Sequence, residues 1–412
     1  MEASELDLSK CRICEQEFNT FINFGEMPIA NAFSPVWPAI DQETFSMQVG
    51  LCEQCFMVQL TDQPDRSKMF HDSYAFYSST SRAMEQHFRK FATDIIGREK
   101  FNDMSFVVEI GCNDGIMLRN MVDLGVPCLG VEPSGNVAEV ARNRGIKVEQ
   151  SFFDNDLAEK ILSEQKPANL IFSANVMCHI PYMHSVLEGV VRLLHDDGLF
   201  VFEDPYLGAV LEKNSFDQIY DEHVFLFSAH SVKYMANRNG MDLVHVEPQS
   251  THGGSMRYYL AHMGARPVNK SVDAFLDKEK VIGLNKFVTF NEFSKNIDSI
   301  GRDLLSLLTE IKRKGKKVVG YGATSKSTTV NNYFGITPDL VSCIYDTTPS
   351  KIGTFSPGVG IPIKSYDEFR VSNPDYVLLY AWNHADEIIK KEGDFMMGDR
   401  RWITYIPDVK VL

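Results

Sequence analysis

The 412-residue sequence contains no apolar run that approaches the roughly 20 residues a helix needs to cross a bilayer. It also lacks an excess of basic residues, because 41 lysines and arginines stand against 55 aspartates and glutamates, for a net charge of −14. Nucleic-acid binding needs a basic face that displaces counterions, so this balance argues against DNA or RNA as a partner. The first residues are polar and acidic, without the apolar core of a signal peptide. We therefore expect a cytoplasmic protein that binds neither nucleic acid nor membrane.

The composition shows no sign of disorder or of a fibrous structure. Hydrophobic residues make up 44% and charged residues 23% of the chain, close to ordinary globular values. At about 150 residues per domain, the length predicts roughly three domains. The sequence shows neither a coiled-coil pattern nor an apolar dimer stripe, so we expect a monomer.

Four of the eight cysteines form two Cys-x-x-Cys pairs, Cys11 with Cys14 and Cys52 with Cys55. Four thiolates are a ligand set that structural zinc prefers, and a closed shell of four leaves no open position for catalysis. The spacing between the pairs exceeds that of a zinc ribbon and leaves space for a small substructure that includes MPIANAFSP. A thioredoxin-like redox pair fits less well, because such a pair follows a strand and opens a helix. The sequence predicts a structural zinc site, with four unconnected thiols as the alternative.

From residue 106 onwards, strand and helix patterns alternate. The run FVVEI at residues 106–110 leads into the glycine loop GCNDG at residues 111–115. A second strand, CLGVEP at residues 128–133, carries Glu132 near its carboxyl end. A later strand, NLIFSAN, ends at Asn175. This order is typical of a Rossmann-like α/β fold, whose parallel sheet binds ligands at the carboxyl ends of its strands.

The glycine loop lacks the second glycine of a dinucleotide fingerprint. Asn113 and Asp114 stand there instead, and an acid beside the loop suits a ligand with a cationic amino group. Glu132 suits a ribose diol, which a carboxylate can bind through two hydrogen bonds. Together these features predict S-adenosylmethionine as the ligand, with a Rossmann-like turn that binds no cofactor as the alternative.

Two segments near this sheet carry aromatic and polar side chains. Tyr74 and Tyr77 precede the first strand and share one face if their segment is helical; a hydrophobic contact between domains is the alternative. Asn175 and His179 come at the end of NLIFSAN and just after it, so an open α/β sheet places both over the ligand crevice. A buried structural histidine is the alternative for His179.

The run FDQIYDEH at residues 216–223 brings a tyrosine, acids and a histidine together. A solvated charged turn is the usual interpretation of such a run, but the VFLFS that follows indicates partial burial. Burial beside Glu222 would tune His223 as a general base near neutral pH. Tyr220 precedes this histidine by three residues.

The run HGGSMR at residues 252–257 resembles the HGGG loop of esterases. The chain has no Gly-x-Ser-x-Gly nucleophile elbow, so an acyl-transfer triad is unsupported. Two glycines before Ser255 and Arg257 instead predict a close-approach loop whose arginine binds a phosphate.

The C-terminal third is predicted to be helical over about residues 270–312, with acids near its start and bases near its end. A second strand–turn–helix unit follows, with GYGATSK at residues 320–326. This turn is neither a P-loop nor a complete dinucleotide fingerprint. With Thr324, Ser325 and Lys326 it predicts an anion site for a phosphorylated substrate, and a nicotinamide site is the alternative.

Taken in order, the paired cysteines, EIGCNDG, FDQIYDEH, HGGSMR and GYGATSKSTTVNNYFGI resemble the motifs of sugar C-methyltransferases, over essentially the whole chain. The resemblance implies a zinc domain at residues 1–66, a Rossmann-like S-adenosylmethionine domain at residues 67–266 and a second Rossmann-like α/β domain at residues 267–412 that helps to hold the sugar nucleotide. It also implies methyl transfer to C3 of a nucleotide-linked 4-keto-deoxysugar through a base-generated enolate.

By the same resemblance, His223 corresponds to the base that removes the C3 proton, and Glu222 and Tyr220 correspond to its orienting and sugar-binding neighbours. The residues that match the sugar pocket are Tyr74, Tyr77, Asn175 and His179. The residues that match the methyl-donor site are Glu109, Gly111, Asn113, Asp114, Gly115 and Glu132, and Asn175 is expected to contact the methyl donor as well as the sugar.

One residue departs from the family pattern, which often has His-Glu-His where this chain has Asp221-Glu222-His223. We expect Asp221 to add a charge near the base and to shift its pKa. Two further function classes stay open: an S-adenosylmethionine-dependent O- or N-methyltransferase, and a non-catalytic zinc-bearing scaffold.

Overall fold

The computed structural model describes residues 10–40, 42–72, 74, 76–393 and 400–412. Within these ranges the strands are β1 (Asn19–Pro28), β2 (Thr44–Leu51), β3 (Val58–Leu60), β4 (Val107–Ile110), β5 (Cys128–Val131), β6 (Val148–Glu149), β7 (Ala168–Ala174), β8 (Leu194–Pro205), β9 (Phe225–Leu226), β10 (Met241–Gln249), β11 (Ser255–His262), β12 (Val318–Tyr321), β13 (Ile344–Asp346), β14 (Ile363–Ser365), β15 (Tyr376–Leu379), β16 (Arg401–Thr404) and β17 (Lys410–Val411).

The helices in the same ranges are α1 (Arg66–Met69), α2 (Arg82–Glu99), α3 (Leu118–Asp123), α4 (Gly135–Asn143), α5 (Asn155–Glu164), α6 (Met183–Leu193), α7 (Leu207–Glu212), α8 (Ala229–Arg238), α9 (Lys270–Ile282), α10 (Phe287–Arg313), α11 (Ser325–Phe334), α12 (Tyr366–Ser372) and α13 (Ala385–Lys391). Short 3₁₀ turns lie at Ser78–Thr80, Met177–His179, Phe216–Gln218, Thr251–Gly253 and Trp382–His384. No helix in the described part of the chain is long and apolar enough to cross a membrane.

The first sheet is antiparallel and has the strand order β1-β2-β3-β9. Its first three strands come from the N-terminal part of the chain, whereas β9 comes from much later. Gln59 of β3 lies opposite Phe225 of β9, and the Leu60 amide donates to the Val224 carbonyl at 2.8 Å. The N-terminal sheet is therefore completed by the chain that directly follows FDQIYDEH.

The second sheet has the order β10-β11-β8-β7-β4-β5-β6. Strands β4 to β8 pair in parallel, and β11 runs antiparallel between β8 and β10. All four residues of β4 are buried, as expected of a central parallel strand covered on both faces. The carboxyl ends of β5, β4 and β7 meet at one edge, where α/β sheets bind ligands. The predicted α/β fold is confirmed.

The third sheet has the order β14-β13-β12-β15-β16-β17 and is parallel except for β17. Strand β12 leads through Gly322, whose φ is 89°, into α11. Thr324 caps that helix, because its hydroxyl accepts a hydrogen bond from the Ser327 amide at 3.3 Å. The second strand–turn–helix unit is thus present as predicted.

The single helix predicted over residues 270–312 is two helices. Gly283 follows α9 with a left-handed φ of 84°, and its amide donates to the Glu279 carbonyl at 2.9 Å. Glycine adopts this conformation without steric cost, so it ends the helix. The chain then turns and α10 begins at Phe287.

The N-terminal unit packs against both other units. The four paired cysteines share one apolar cluster with Phe200 and Phe202 of β8. Phe21 of β1 contacts Phe290 of α10, with ring centroids 4.9 Å apart. The paired cysteines and the first sheet are therefore part of the shared core rather than an appended module.

Candidate active site

The structure brings the four predicted zinc ligands together. The Sγ atoms of Cys11 and Cys55 are 3.5 Å apart, and those of Cys14 and Cys52 are 3.3 Å apart. All four sulfurs lie within 4.8 Å of one another, and all four residues are buried. Zinc–sulfur bonds of about 2.3 Å in a tetrahedron place sulfurs about 3.8 Å apart, so this cluster fits one zinc ion.

Both cysteine pairs form the same turn. The amides of Glu15 and Phe56 donate to the carbonyls of Cys11 and Cys52, each at 2.8 Å. Glu15 and Phe56 have positive φ values of 63° and 60°. The repeated turn presents both sulfurs of each pair to the same side, which is what a four-thiolate site requires.

Arg12 connects the cysteine cluster to β3. Its amide donates to Gln59 Oε1 at 3.1 Å, and its buried guanidinium donates to the carbonyls of Leu60 and Thr61. Burial lowers the pKa of Arg12 to about 10, which keeps the group cationic at neutral pH. Because β3 pairs with β9, the cysteine cluster is connected to the chain that follows His223.

A cleft opens where β4, β5 and β7 end. The predicted methyl-donor residues that line it are Glu109, Gly111, Asn113, Glu132 and Asn175. Gly111 has a φ of 70°, and a Cβ atom at this position would lie 2.3 Å from the Val176 side chain. Glycine is therefore required where the loop passes under the cleft.

Two carboxyl groups face this cleft in different environments. Glu132 accepts hydrogen bonds from the amides of Asn113 at 2.9 Å and Ser134 at 2.8 Å, which fix its orientation. Glu109 is buried, and its Oε2 has no hydrogen-bond partner among the described residues. Burial, with the carboxylates of Asp114 and Glu132 nearby, raises the pKa of Glu109 well above its ordinary value. A cationic ligand group would stabilise ionised Glu109, and the oriented Glu132 suits a ribose diol, so the site fits S-adenosylmethionine.

Asp114 and Gly115 lie outside the lining of the cleft. The Asp114 carboxylate accepts hydrogen bonds from the amide and hydroxyl of Ser79, at 3.1 and 2.5 Å, and lies 3.5 Å from Arg144. Gly115 has a φ of 79°, which side chains rarely adopt, so the backbone conformation of the loop explains this glycine. Asp114 Oδ1 also has no hydrogen-bond partner among the described residues, but Glu109 lines the cleft and Asp114 does not, so we now expect Glu109 to face the cationic group.

His223 is buried at the end of the run 216–223. Its Nδ1 lies 2.6 Å from the Gln218 carbonyl oxygen, which only accepts, so Nδ1 carries the hydrogen. Its Nε2 lies 2.8 Å from the Tyr220 hydroxyl, which donates to it. Burial, with the nearby His179 and Lys326, lowers the pKa of His223 well below its ordinary value. His223 is therefore a neutral imidazole with its lone pair on Nε2.

His179 joins the cleft to this histidine. Its ring stacks on His223, with centroids 5.2 Å apart and planes 21° apart, and it also lines the cleft. Burial lowers the pKa of His179 to about 3, and its Nε2 has no hydrogen-bond partner in the described ranges. The Cys178 sulfur lies within 4.8 Å of both rings.

The two predicted tyrosines have different neighbours. The chain at Tyr74 and Tyr77 is not helical, and the short 3₁₀ turn begins only at Ser78. Tyr74 lines the cleft and its hydroxyl hydrogen-bonds the Glu222 carboxylate. The Tyr77 hydroxyl accepts a hydrogen bond from Asn136 of α4 at 2.9 Å. Tyr74 therefore belongs to the cluster around His223, whereas Tyr77 supports the helix after β5.

Glu222 also contacts the N-terminal unit. Its carboxylate accepts a hydrogen bond from the Asn31 side-chain amide at 2.8 Å, and the same amide lies 2.9 Å from the Ser325 hydroxyl. Burial raises the pKa of Glu222. Asn31 thus links the segment that carries His223 to the start of α11.

The charge expected at Asp221 is largely absent at neutral pH. Asp221 accepts a hydrogen bond from the Ala30 amide at 2.9 Å and is buried. Burial and the adjacent Glu222 raise the pKa of Asp221 to about 8, so its carboxyl group is mostly protonated at neutral pH. The departure from the family pattern therefore adds a polar group that faces the N-terminal unit.

The phosphate contact expected of Arg257 and Ser255 does not fit the structure. The Arg257 guanidinium donates to Glu203 at 2.8 and 3.1 Å and to Glu247 at 3.3 Å, and the side chain is buried. The Ser255 hydroxyl donates to the Thr251 carbonyl at 3.2 Å. Both side chains are already engaged in holding the loop before β11, a pairing the sequence could not reveal.

Of the three residues predicted for the anion site, Thr324 caps α11 and Ser325 contacts Asn31. The Lys326 amino group has no hydrogen-bond partner among the described residues. Burial lowers the pKa of Lys326, and the buried Asp217 acts in the opposite direction. Of the three side chains, Lys326 is therefore the one left to contact an anion, and Asp217 favours its charged form.

Several contacts to the segment 216–223 come from residues that the sequence did not single out. Asp217 accepts hydrogen bonds from Trp382 Nε1 at 2.7 Å and from the Tyr405 hydroxyl at 2.6 Å. The Gln63 side chain donates to the carbonyls of His179 and Asp221, at 3.4 and 3.3 Å. Trp382 is one of only three tryptophans, which is the one signal that could have identified it.

The cysteine cluster predicts a matched pair of variants. Cys52→Ser removes one of four ligands, so we expect it to lose stoichiometric zinc, to fold in lower yield and to melt at a lower temperature, because structural zinc contributes directly to folding. Cys343→Ser alters a buried thiol outside the cluster and is expected to retain one zinc ion per chain. Elemental analysis of the purified folded protein measures this. One zinc per chain in Cys52→Ser would contradict the assignment.

Comparison with known proteins extends these observations. Residues 11–70 match a zinc binding domain family, residues 82–246 a methyltransferase domain family and residues 250–407 the C-methyltransferase C-terminal domain family. The chain is 32% identical over 408 residues to C-methyltransferase NovU of Streptomyces niveus, which covers 98% of this chain and 97% of that protein. It is 27% identical over 99 residues to a ubiquinone biosynthesis O-methyltransferase of Glaesserella parasuis, covering 23% of this chain and 42% of the other.

Among solved structures, an S-adenosylmethionine-dependent methyltransferase from Anabaena variabilis matches with a TM-score of 0.34 and 17% identity, over 44% of this chain and 93% of its own. The match to NovU, in contrast, spans nearly the whole of both chains, and the three family matches follow one another along the sequence. This chain therefore belongs to the C-methyltransferase family: it is an S-adenosylmethionine-dependent C-methyltransferase with a four-cysteine zinc site.

Proposed function

We propose that this enzyme transfers the methyl group of S-adenosylmethionine to C3 of a nucleotide-linked 4-keto-deoxysugar, after His223 has removed the C3 proton. The observation that carries the proposal is the state of His223, a buried neutral imidazole whose Nδ1 is bonded to the Gln218 carbonyl and whose Nε2 lone pair accepts a hydrogen bond from the Tyr220 hydroxyl. Methylation at carbon needs a base for a weakly acidic C–H, whereas methylation at oxygen or nitrogen does not require one to form an enolate.

The methyl donor is held, in this proposal, at the carboxyl ends of β4, β5 and β7. Glu132 binds the ribose hydroxyls, and Glu109, whose Oε2 has no partner among the described residues, faces a cationic group. Asn175 lines the side towards the acceptor. When bound, S-adenosylmethionine supplies an electrophilic methyl group on its sulfonium sulfur. Stacking of His179 between this cleft and His223 supports a short path from the methyl donor to the base.

A C4 ketone acidifies the hydrogen on C3, because the resulting carbanion delocalises onto oxygen as an enolate. Substrate entry displaces the Tyr220 hydroxyl from Nε2 of His223. His223 is then free to act as the base, and the Tyr220 hydroxyl is free to donate a hydrogen bond to the substrate. Tyr220 and the unpartnered Nε2 of His179 are then placed to donate hydrogen bonds to the enolate oxygen. Tyr74, whose hydroxyl is hydrogen-bonded to Glu222, lies beside the proposed position of the sugar.

Transfer of the proton and of the methyl group requires no reactant other than the sugar and S-adenosylmethionine. The C3–H bond breaks and its proton moves to His223 Nε2. The electron pair left on C3 forms the C3–CH3 bond as the S–CH3 bond breaks, and the C4 ketone is restored. The positive charge lost from sulfur appears on the imidazolium, which releases its proton to solvent.

The charge of Lys326 supports placing the phosphates of the sugar nucleotide at the start of α11. The first amides of a helix attract anions, and a cation beside them adds to that attraction. In this arrangement the sugar lies by His223 and the phosphates extend towards the third sheet.

Hydrogen exchange at C3 tests the base directly. The enzyme is incubated in deuterated water with S-adenosylhomocysteine and a panel of nucleotide-linked 4-keto-6-deoxysugars, and deuterium uptake is followed by mass spectrometry. The wild type is expected to exchange the C3 hydrogen of its substrate, and His223→Gln to exchange it at least about 100-fold more slowly, because a positioned base contributes on the order of 10²–10⁴.

His195→Gln changes an exposed histidine in the same domain and serves as the matched control. It is expected to exchange at the wild-type rate, and His223→Gln is expected to bind S-adenosylmethionine as the wild type does. Exchange at the wild-type rate in His223→Gln would refute the base assignment. Methyl gain on a panel sugar without loss of its C3 hydrogen would refute the carbon position.

The pH dependence of turnover tests the protonation state. Burial lowers the pKa of His223, so its neutral, basic form persists to a more acidic pH than that of an exposed histidine. We expect kcat to be level from neutrality down to pH 6.5 and to fall only at lower pH. A decline centred at or above pH 6.5, in protein shown by circular dichroism to be folded, would mean that the base is not a buried neutral imidazole.

A further inference from the structure

The turn before β11 holds His252 in a conformation that histidine rarely adopts. Its φ is 51° and its ψ is 26°, in the left-handed region, within the short turn Thr251–Gly253. The turn is fixed on both sides, because the Thr251 hydroxyl donates to Glu203 at 3.0 Å and the Lys213 amino group donates to the Gly253 carbonyl. Such strain persists only where surrounding structure enforces it, and it is concentrated at functional sites.

The strained backbone places the His252 imidazole at the cleft. His252 lines the cleft together with Asn175 and His179. Its Nε2 is buried and has no hydrogen-bond partner in the described part of the chain. A buried polar atom of this kind costs free energy unless a ligand supplies its partner. The strain and the unpaired nitrogen are independent observations on one side chain.

The charges around His252 indicate which ligand atom fits. Burial, with the cation Lys326 and the nearby His384, lowers the pKa of His252 to about 4, although Glu203 opposes the shift. The carboxylate of Glu203 is itself paired with Arg257. A neutral imidazole beside the amino group of Lys326 suits an electron-rich oxygen, to which its N–H donates.

We propose that His252 forms a polar subsite and donates a hydrogen bond from Nε2 to an electron-rich oxygen of the acceptor substrate, between the methyl-donor cleft and Lys326. The inference rests on the proposed function, since it needs an acceptor that reaches from His223 towards Lys326. The oxygen is a carbonyl oxygen or a phosphoryl oxygen of that acceptor, because both are electron-rich hydrogen-bond acceptors.

Two substitutions at this position separate binding from folding. Asparagine tolerates the left-handed conformation but is shorter, so His252→Asn relieves strain and loses the hydrogen bond. We expect its melting temperature to rise by about 1 °C and its KM for the acceptor to rise about tenfold, with unchanged affinity for S-adenosylmethionine. Glutamine places an amide nitrogen near the position of Nε2, so His252→Gln is expected to restore most of the acceptor affinity.

Lys100→Asn is the matched control for strain. Lys100 follows α2 with a φ of 58° and is exposed, away from the cleft. The same substitution there is expected to raise the melting temperature by a similar amount and to leave both KM values unchanged. It therefore shows what relief of left-handed strain does when no ligand contact is lost.

Inorganic pyrophosphate, used as a competitor of the acceptor, distinguishes the two oxygens. Inhibition that is about tenfold weaker in His252→Asn than in the wild type identifies a phosphoryl oxygen, and equal inhibition with a raised acceptor KM identifies the carbonyl. An unchanged acceptor KM in His252→Asn, with an active wild type, would overturn this inference alone. An inactive wild type on every panel sugar would overturn the proposed function, and this inference with it.

Discussion

The pairing of β9 with β3 is the interaction on which the arrangement of the active site depends. It draws the chain directly after His223 into the N-terminal sheet, next to the strand that Arg12 ties to the cysteine cluster. The preceding part of the same segment is held from the other side, where Trp382 and Tyr405 bind Asp217. The segment 216–226 is thus fixed by parts of the chain that lie far apart in sequence.

Because of these contacts, the zinc site helps to position the segment 216–226 as well as to fold the N-terminal unit. The cluster has a closed ligand set, so it takes no direct part in chemistry. Its cysteines pack into the core of the central sheet, and their neighbour Arg12 secures the end of β3. A short segment such as 216–226 has little regular structure of its own, and rigid flanking elements are what hold a base within hydrogen-bond reach of its proton.

Burial determines the charge state of the site. His179, His223 and His252 all have pKa values lowered by burial and are neutral, while Glu109 and Glu222 have pKa values raised by it. A low local dielectric strengthens any hydrogen bond made to charge that develops during the reaction. The same environment explains the several unpartnered polar atoms at the cleft, which are costly until ligands bind.

Much of this could be predicted from the sequence, because it depended on spacing or on strand order. The Cys-x-x-Cys pairs predicted the four-cysteine cluster, and the order of strand and loop predicted that Glu132, just after β5, lies at the edge of the sheet where the cleft opens. Prediction failed where a side chain's partner lies far away in the chain. Arg257 looked free because Glu203, its partner on β8, adjoins it only after the sheet forms.

The same reason explains what was missed near His223. Asn31 lies in the segment MPIANAFSP, which showed neither periodicity nor a motif, yet it bonds Glu222 and Ser325. Asp114 looked like the acid for a cationic ligand, but its Oδ2 is bonded to Ser79 and its side chain lies outside the lining of the cleft, to which Glu109 contributes. The helix break at Gly283 was also missed, because amphipathic spacing continues on both sides of it.

The central claim is that a new carbon–carbon bond forms at a carbon that has lost its hydrogen. The most direct measurement is nuclear magnetic resonance of the product made with S-adenosylmethionine labelled with carbon-13 in its methyl group. The account predicts a labelled methyl group bonded to a quaternary carbon next to the C4 carbonyl, so that its protons show no coupling to a proton on the neighbouring carbon. A labelled methyl group bonded to oxygen or nitrogen would contradict it.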